Sequence, residues 1–306
     1  MIEGTVKLLT LVEGDFLRPG IAGEALEALE SGELVFLANV GFELKPSEAE
    51  MLSDVGNVLE RAPASENGRP TLIFDPRIGH MRRLQFARAG GRLARARVKK
   101  SARRDLESML MRYAGWTEEI VTRLFPRYTG LLEADRVTYR PNPRSVPQPL
   151  HVDSAYGDPT GGRGMLRLFT NVDPLGRPRT WQVGEPFESF AKRFVPSLDA
   201  PAADWTSALL ARLGIVGRPR SPYDRMIAQL RRLGKRDEAY QRTAPRRIVE
   251  FPSGSSWLAI TDLVLHGAVS GQHSLDRTFY LPATAMRDPS RSSLSILERA
   301  TGRKLS

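Results

Sequence analysis

The sequence predicts an α+β protein with a mainly β core, N-terminal α/β elements and a helical insertion. Three observations favour this class. Residues 34–125 combine one buried strand pattern with two helical patterns, residues from 135 onwards form short β-branched or aromatic runs, and residues 185–245 interrupt those runs with helical spacing. A chain of 306 residues without repeats or long linkers indicates one domain, 1–306, in which residues 1–130 pack on a core of residues 131–306.

The N-terminal region supplies a strand and two helices. The apolar run "LVFLANV" at 34–40 predicts a buried strand. The segment "PSEAEMLSDVGNVLERA" predicts a helix in which Ser47 and Glu50 have the spacing of a capping box. A second helix is predicted over "DLESMLMRYAGWTEEIVTRLF", whose apolar residues at 106, 109, 110 and 113 share one face. We expect both helices to pack on the core and assign them no chemistry.

The sequence of the core region predicts strands on both sides of the helical insertion. In "MLRLFTNVDP" at 165–174, Leu166 and Leu168 point to one face and Arg167 and Asn171 to the other. The runs "RRIVEFP", "SSWLAITDLVLHGA" and "RTFYLPA" continue the strand pattern towards the C-terminus. Within the insertion, "SPYD" at 221–224 has the residues of a helix start. "PSRSSLSILERATGRKL" predicts a closing helix.

Composition excludes several classes of site. The chain has no cysteine, which rules out disulfides, zinc ribbons, iron–sulfur clusters and cysteine nucleophiles. Any metal must therefore be held by His, Asp, Glu or backbone oxygen. No apolar run reaches the roughly 20 residues that cross a bilayer, and the first residues lack the pattern of a signal peptide, so the sequence predicts a cytoplasmic protein.

The chain is strongly basic, with a formal net charge of +10. Such a charge favours acidic partners, which include anionic lipid and charged sugars. Much of it lies in "RIGHMRRLQFARAGGRLARARVKKSARR" at 77–104, for which an ordinary solvated basic face is an equally good interpretation. The segment has one aromatic residue and no nucleic-acid module follows it, so we expect no nucleic-acid partner.

The segment "LHVDSAYGDP" at 150–159 contains one of only four histidines in the chain. In a strand, His151 and Asp153 project from the same face and offer two ligands of a 2-His-1-carboxylate triad. Taken alone, such a pair is more often a hydrogen bond in a turn. The third ligand is predicted to be His266, which ends the apolar run "WLAITDLVLH" beside a glycine. His80 and His273 are interpreted as non-ligands.

Arg277 lies eleven residues beyond His266, in "LDRTFYLP". Its guanidinium offers the planar fork that would hold the distal carboxylate of 2-oxoglutarate. The order H-x-D, long gap, H, then a basic residue resembles that of the iron- and 2-oxoglutarate-dependent oxygenases. This resemblance implies a double-stranded β-helix (a cupin-like jelly roll), bound Fe(II), 2-oxoglutarate and O2, and ascorbate as a reductant. Arg167 is the alternative anchor, and Asn171 a candidate contact to 2-oxoglutarate or water, or else a turn residue.

Longer stretches of the sequence show a more specific resemblance. The stretches "RPNPRSVPQPLHVDSAYGDPTGGRGMLRLFTNVDPLGRPRTWQVGEPFESFAKRF", "YQRTAP", "FPSGSSWLAITDLVLHGAVSGQHSLDRTFYLP" and "DPSRSSLSILERATGRKL" resemble the family of Kdo (3-deoxy-D-manno-octulosonic acid) 3-hydroxylases. The resemblance implies His151, Asp153 and His266 as iron ligands. It also implies hydroxylation at C3 of the Kdo sugar of Kdo-lipid A, with release of succinate and CO2.

An acidic, lipid-linked substrate gives the basic residues a role. Arg144, Arg163 and Arg179 are candidates for substrate contact, and the 77–104 segment for contact with an anionic membrane surface. The protein would then act peripherally on the cytoplasmic face of the inner membrane. Two alternatives stay open: a 2-oxoglutarate oxygenase of a different sugar acid or small carboxylate, and a non-catalytic jelly-roll protein that binds anionic ligands.

Overall fold

A computed structural model of the chain describes residues 4–60, 71–85, 100–141, 146–154, 159–198 and 219–306. The strands within these ranges are β1 Leu8–Leu11, β2 Leu34–Leu37, β3 Thr71–Asp75, β4 His80–Gln85, β5 Glu133–Arg140, β6 Gly164–Asn171, β7 Arg179–Pro186, β8 Arg247–Phe251, β9 Ser256–Ile260, β10 Val264–Ser270 and β11 Ser274–Leu281. The helices are α1 Ile21–Glu30, α2 Pro46–Glu60, α3 Lys100–Leu124, α4 Phe187–Phe194, α5 Pro222–Arg236, α6 Glu238–Thr243 and α7 Ser293–Thr301.

The strands form two sheets. The large sheet has the order β1-β2-β9-β6-β11-β5-β3-β4, and every pairing in it is antiparallel except that of β1 with β2. Strands β1 to β4 thus extend, at both ends, a sheet whose centre comes from residues after 130. The small sheet has the order β10-β7-β8, and a bridge between His151 and His266 adds the segment 148–151 beside β10.

The inner faces of the sheets meet through aromatic side chains. Trp257 of the large sheet lies 5.3 Å from Trp181 and 3.9 Å from Phe251, both of the small sheet, measured between ring centroids. Phe169 of β6 also contacts Trp181 edge-on. Because alternate residues of a strand share a face, Arg167 of β6 points with Phe169 into the space between the sheets.

The outer face of the large sheet is covered by helices. The Tyr113 hydroxyl of α3 bonds to Thr170 Oγ1 at 3.2 Å and donates to the Leu168 carbonyl at 3.4 Å. The predicted alternation of β6 is therefore confirmed, with Leu168 on the helix side and Arg167 inside.

The predicted helices are present, with one correction at a helix start. Helix α2 begins at Pro46, but the carboxylate that caps it is Glu48, which accepts from the Lys45 backbone N–H at 2.8 Å, and not Glu50. Helix α5 begins as predicted, because Ser221 Oγ accepts from the Asp224 backbone N–H at 3.1 Å. Helices α4 to α6 lie between β7 and β8. None of the helices in the described ranges is long and apolar enough to cross a membrane.

Candidate active site

His151 and His266 lie side by side on neighbouring strands of the small sheet. The His151 N–H donates to the His266 carbonyl at 3.0 Å, and the His266 N–H donates back to the His151 carbonyl at 2.9 Å. Asp153 follows two residues later, with its N–H bonded to the Thr261 carbonyl at 2.9 Å. One ligand atom from each of the three side chains lies within 4.8 Å of the others. The structure therefore brings the three predicted metal ligands together.

Gly267 permits this close pairing. A Cβ at position 267 would lie 2.5 Å from the Gln148 carbonyl oxygen and 3.0 Å from that of Pro149. Any larger residue would push the segment 148–151 away from β10, so the close approach of the two backbones requires glycine here.

Backbone carbonyls orient both imidazole rings. His151 Nδ1 donates to the Pro149 carbonyl at 2.8 Å, and His266 Nδ1 to the Val264 carbonyl at 2.9 Å. Because a carbonyl only accepts, each Nδ1 carries the proton and each Nε2 keeps a free lone pair. These Nε2 atoms lie 3.8 Å and 3.9 Å from the Asp153 carboxylate oxygens.

Burial and nearby charge prepare these groups to bind a cation. Burial, helped by the neighbouring His266, lowers the pKa of His151 to about 3, and burial also lowers the pKa of His266. Burial opposes ionisation of Asp153, but the charge of Arg167, the largest of the nearby contributions that favour the carboxylate, holds the pKa of this carboxyl below its usual range. The site thus offers two neutral nitrogens and one carboxylate, a donor set that fits Fe(II).

A buried ion-pair chain leads away from Asp153 across the large sheet. Arg167 Nη1 donates to Asp153 Oδ2 at 2.6 Å, and Arg167 Nη2 donates to Asp276. Asp276, only 1% exposed, also accepts from Arg140 Nε at 3.0 Å. This chain of Asp153, Arg167, Asp276 and Arg140 carries two negative and two positive charges. Arg167 contacts the triad directly, and Arg140 is joined to it through Asp276.

Arg277 is not at the triad, contrary to the prediction that it anchors 2-oxoglutarate. Its guanidinium donates to the Ala114 carbonyl at 2.6 Å and the Asp135 carbonyl at 3.1 Å, and pairs with Glu118 at 2.8 Å. The physical reason is the alternation of β11. Asp276 points into the space between the sheets, so Arg277 points outwards, to α3.

Asn171 also has a different role from the predicted contact with 2-oxoglutarate. Its Nδ2 donates to the Arg177 carbonyl at 2.8 Å and the Phe251 carbonyl at 3.0 Å, and its Oδ1 accepts from the Asp173 N–H at 3.1 Å. The fully buried amide therefore fixes the turn after β6, which was the alternative interpretation.

The three arginines predicted to contact substrate have separate positions. Arg163 pairs with Glu133 and lies 4.7 Å over the Tyr280 ring. Arg179 is buried at the start of β7, and Arg144 lies outside the described residues. Most of the basic segment, residues 86–99, also lies outside them.

The two other histidines are not part of the metal group. The side chain of His80 is 74% exposed on β4. His273 Nδ1 and the Tyr139 hydroxyl share a hydrogen bond at 2.7 Å, in the turn between β10 and β11.

Sequence reasoning missed three charged residues near the triad. Asp276 and Arg140 belong to the ion-pair chain, and their inward orientation follows from strand pairing that the sequence does not display. The third residue is Arg231 of α5, partly buried, whose Nε is buried without a hydrogen-bond partner. Nothing in "LRRLGKR" distinguishes Arg231 from its basic neighbours.

Two imidazole nitrogens and one carboxylate held between two β-sheets define a 2-His-1-carboxylate centre, the class of site found in non-haem Fe(II) oxygenases. The sequence profile of the 3-deoxy-D-manno-oct-2-ulosonic acid (Kdo) hydroxylases matches residues 15–304. The chain therefore belongs to the Kdo hydroxylase family, as the sequence blocks predicted. A comparison with curated proteins gave no match.

Solved structures agree with this membership. Two crystal structures of the Kdo hydroxylase KdoO, a non-heme Fe(II) and α-ketoglutarate (2-oxoglutarate) dependent dioxygenase, are similar over nearly the whole chain. The complex with succinate and Fe(III) is 33% identical, with a TM-score of 0.82 and 97% of both chains covered. The complex with α-ketoglutarate and Fe(III) is 32% identical, with a TM-score of 0.83, and covers 98% of this chain and 97% of KdoO.

Proposed function

We propose that this member of the Kdo hydroxylases is an Fe(II)- and 2-oxoglutarate-dependent dioxygenase that hydroxylates C3 of the Kdo sugar of Kdo-lipid A and releases succinate and CO2. The observation that carries the proposal is the convergence of His151 Nε2, His266 Nε2 and the Asp153 carboxylate within 4.8 Å. Iron and α-ketoglutarate in the crystal structures of KdoO support the same cofactors here.

The fold that we propose for this site is a double-stranded β-helix. From β5 onwards the chain alternates between sheets: β5 and β6 lie in the large sheet with the segment 148–151 between them in the small one, and β9 and β11 flank β10 in the same way. Strands β7 and β8 stay in the small sheet, with helices α4 to α6 inserted between them. This order supports a jelly roll with the triad between its two sheets.

Each residue around the triad has a role that follows from its contacts. When bound, Fe(II) with 2-oxoglutarate and O2 supplies the oxidation of a C–H bond. His151 and His266 present Nε2 because their Nδ1 protons are engaged by backbone carbonyls. Arg167 holds Asp153 Oδ2, which leaves Oδ1 for the metal. Trp181 stacks on the His266 ring at 4.8 Å and keeps water from that face.

Arg167 and Arg140 are the residues that we propose to receive 2-oxoglutarate. Arg167 contacts Asp153, Arg140 shares Asp276 with Arg167, and the Nη groups of Arg140 make no hydrogen bond to any described residue. Charge favours the assignment. The ion-pair chain is neutral, so a divalent metal leaves two positive charges, which match the two carboxylates of 2-oxoglutarate.

The net charge of +10 supports action at an anionic membrane surface. We propose that the segment 77–104 contributes to this contact, on the cytoplasmic face of the inner membrane. Within the described part of this segment, Arg77 pairs with Asp75 and Arg103 pairs with Glu107. The positive charge available for membrane contact must therefore come from other residues of the segment.

The test is turnover of 2-oxoglutarate to succinate in the presence of Fe(II) and Kdo-lipid A that carries deuterium at C3. We expect stimulated succinate formation and a hydroxylated product that has lost one deuterium. His151→Ala is expected to abolish turnover and metal binding, and His80→Ala, an exposed histidine outside the triad, to retain both. Full activity of His151→Ala or His266→Ala would refute the metal site. Hydroxylation with both deuterium atoms retained would refute C3, and equal turnover of Kdo-free acceptors would refute the substrate.

A further inference from the structure

The helical insertion is fastened to both ends of the segment that carries His151 and Asp153. On one side, the Gln241 side chain of α6 accepts from the Leu150 N–H at 2.9 Å and donates to the Leu150 carbonyl at 3.0 Å. On the other side, Asp224 Oδ1 of α5 accepts from the Thr160 N–H at 2.8 Å. Helices α5 and α6 therefore have a fixed position beside the triad.

Arg231 lies on the same face of α5 as Asp224, because seven residues make almost two full helical turns. Its side chain is partly buried, its Nε is buried, and it forms no hydrogen bond or ion pair with a described residue. Position 231 lies along α5 between Asp224, which holds the Thr160 backbone, and Gly234, whose carbonyl accepts from the same Gln241 amide that holds Leu150, so it lies beside the segment that carries His151 and Asp153. An unpaired, partly desolvated guanidinium is unfavourable unless an anion binds it.

Among the described residues, the charged groups named around the triad leave one cation, Arg231, for the substrate. Arg167 and Arg140 are balanced by Asp153 and Asp276, and the metal is balanced by the two carboxylates of 2-oxoglutarate. Arg231 then remains with one positive charge. A sugar acid of the Kdo type carries one carboxylate, at C1, and C1 is two bonds from the deoxy carbon C3.

We propose that Arg231 binds the C1 carboxylate of the sugar-acid substrate and thereby determines which carbon faces the metal. This inference rests on the proposed function and extends it, because it makes the helical insertion the substrate-reading element of the enzyme. A guanidinium fork pairs bidentately with a carboxylate, which fixes the orientation of the ligand as well as its distance.

The test measures binding in the absence of oxygen, so that no turnover is needed. Arg231→Met and wild type are loaded with Fe(II) and 2-oxoglutarate, and the visible charge-transfer band of this complex reports first the Kd of 2-oxoglutarate and then, on titration, the Kd of Kdo-lipid A. The matched control is Arg232→Met, which removes the same charge from the next, exposed residue of α5. A substrate whose C1 carboxylate is converted to a neutral carboxamide completes the set.

We expect Arg231→Met to raise the substrate Kd by roughly ten- to hundredfold, the loss typical of a hydrogen bond to a charged group, and to leave the Kd of 2-oxoglutarate unchanged. Wild type and Arg232→Met should prefer the acid to the carboxamide, and Arg231→Met should bind both equally. Arg231→Lys, which keeps the charge but loses the planar guanidinium fork, should retain part of the preference.

An unchanged substrate Kd in Arg231→Met would overturn the inference. A raised Kd of 2-oxoglutarate would also overturn it, because Arg231 would then serve the co-substrate. Absence of the charge-transfer band in wild type would refute the proposed function and this inference with it, an outcome that differs visibly from the other two.

Discussion

Replacing Arg277 with Met separates two roles that the sequence and the structure assign to this residue. As the predicted anchor of 2-oxoglutarate it would govern co-substrate binding, whereas its observed contacts tie β11 to α3. The variant loses charged hydrogen bonds to the Ala114 carbonyl, at 2.6 Å, and the Asp135 carbonyl, at 3.1 Å. At about 1.5–3 kcal/mol for each bond, the free energy of unfolding should fall by about 3–6 kcal/mol. The pair with Glu118 adds little, because that carboxylate is 57% exposed.

The assay is urea denaturation of wild type and Arg277→Met, combined with the Kd of 2-oxoglutarate for the Fe(II) form under anaerobic conditions. We expect a clear loss of stability and an unchanged Kd. Arg140→Met is the matched comparison, with a raised Kd of 2-oxoglutarate and a smaller loss of stability because this side chain is partly exposed. A tenfold rise in Kd with unchanged stability in Arg277→Met would refute the reasoning from the contacts.

Three further predictions follow from local geometry. Gly267→Ala should lower stability by about 1–3 kcal/mol and weaken metal binding, because its Cβ would meet the Gln148 carbonyl at 2.5 Å; metal titration that matches wild type would contradict this. Burial lowers the pKa of His273 to about 4, so the unfolded chain binds its proton more readily between pH 6.5 and 4 and stability falls as pH drops through this window. Asparagine suits the positive φ of 47° at this position, so His273→Asn removes the titrating group without straining the turn. In denaturation curves the variant should lose up to about 3 kcal/mol of the pH dependence of stability. An unaltered pH dependence would argue against His273 as its source. The protein should sediment with anionic vesicles and detach as salt rises, and equal binding to neutral vesicles would exclude an electrostatic contact through residues 77–104.

The triad could be predicted from the sequence because each of its ligands has a local sequence signal. The spacing of His151 and Asp153 fixes their common face, and His266 ends an apolar strand beside a glycine. The position of Arg277 could not be predicted by counting. Between His266 and β11 the chain passes a register irregularity at Ala268 and a turn that contains a positive-φ histidine, and either feature changes which residues of β11 face inwards. Arg277 does lie eleven residues beyond His266, but it projects from the face of β11 that packs on α3, not from the face that lines the site.

The position of Arg231 could not be predicted from the sequence for a different reason. The sequence places several basic residues within one helical pattern and gives no means of ranking them. Long-range contacts, among them those of Asp224 with the backbone at Thr160 and of the Tyr223 hydroxyl with Asp262, fix how α5 is rotated relative to the triad. An inserted helix has no strand register to determine its orientation, so long-range contacts decide which of its side chains reach the site.

The reciprocal hydrogen bonds between the His151 and His266 backbones have a consequence for metal exchange. Each imidazole is fixed by the carbonyl two residues before it on its own strand, and the two strands are fixed to each other. The two Nε2 atoms are therefore held at a fixed distance, which could change only if the backbone hydrogen bonds between His151 and His266 were broken. Asp153 lies beyond this bridge and shares its carboxylate with Arg167. Exchange of the ion should therefore proceed by rotation of the carboxylate towards Arg167, while the histidine pair keeps its spacing.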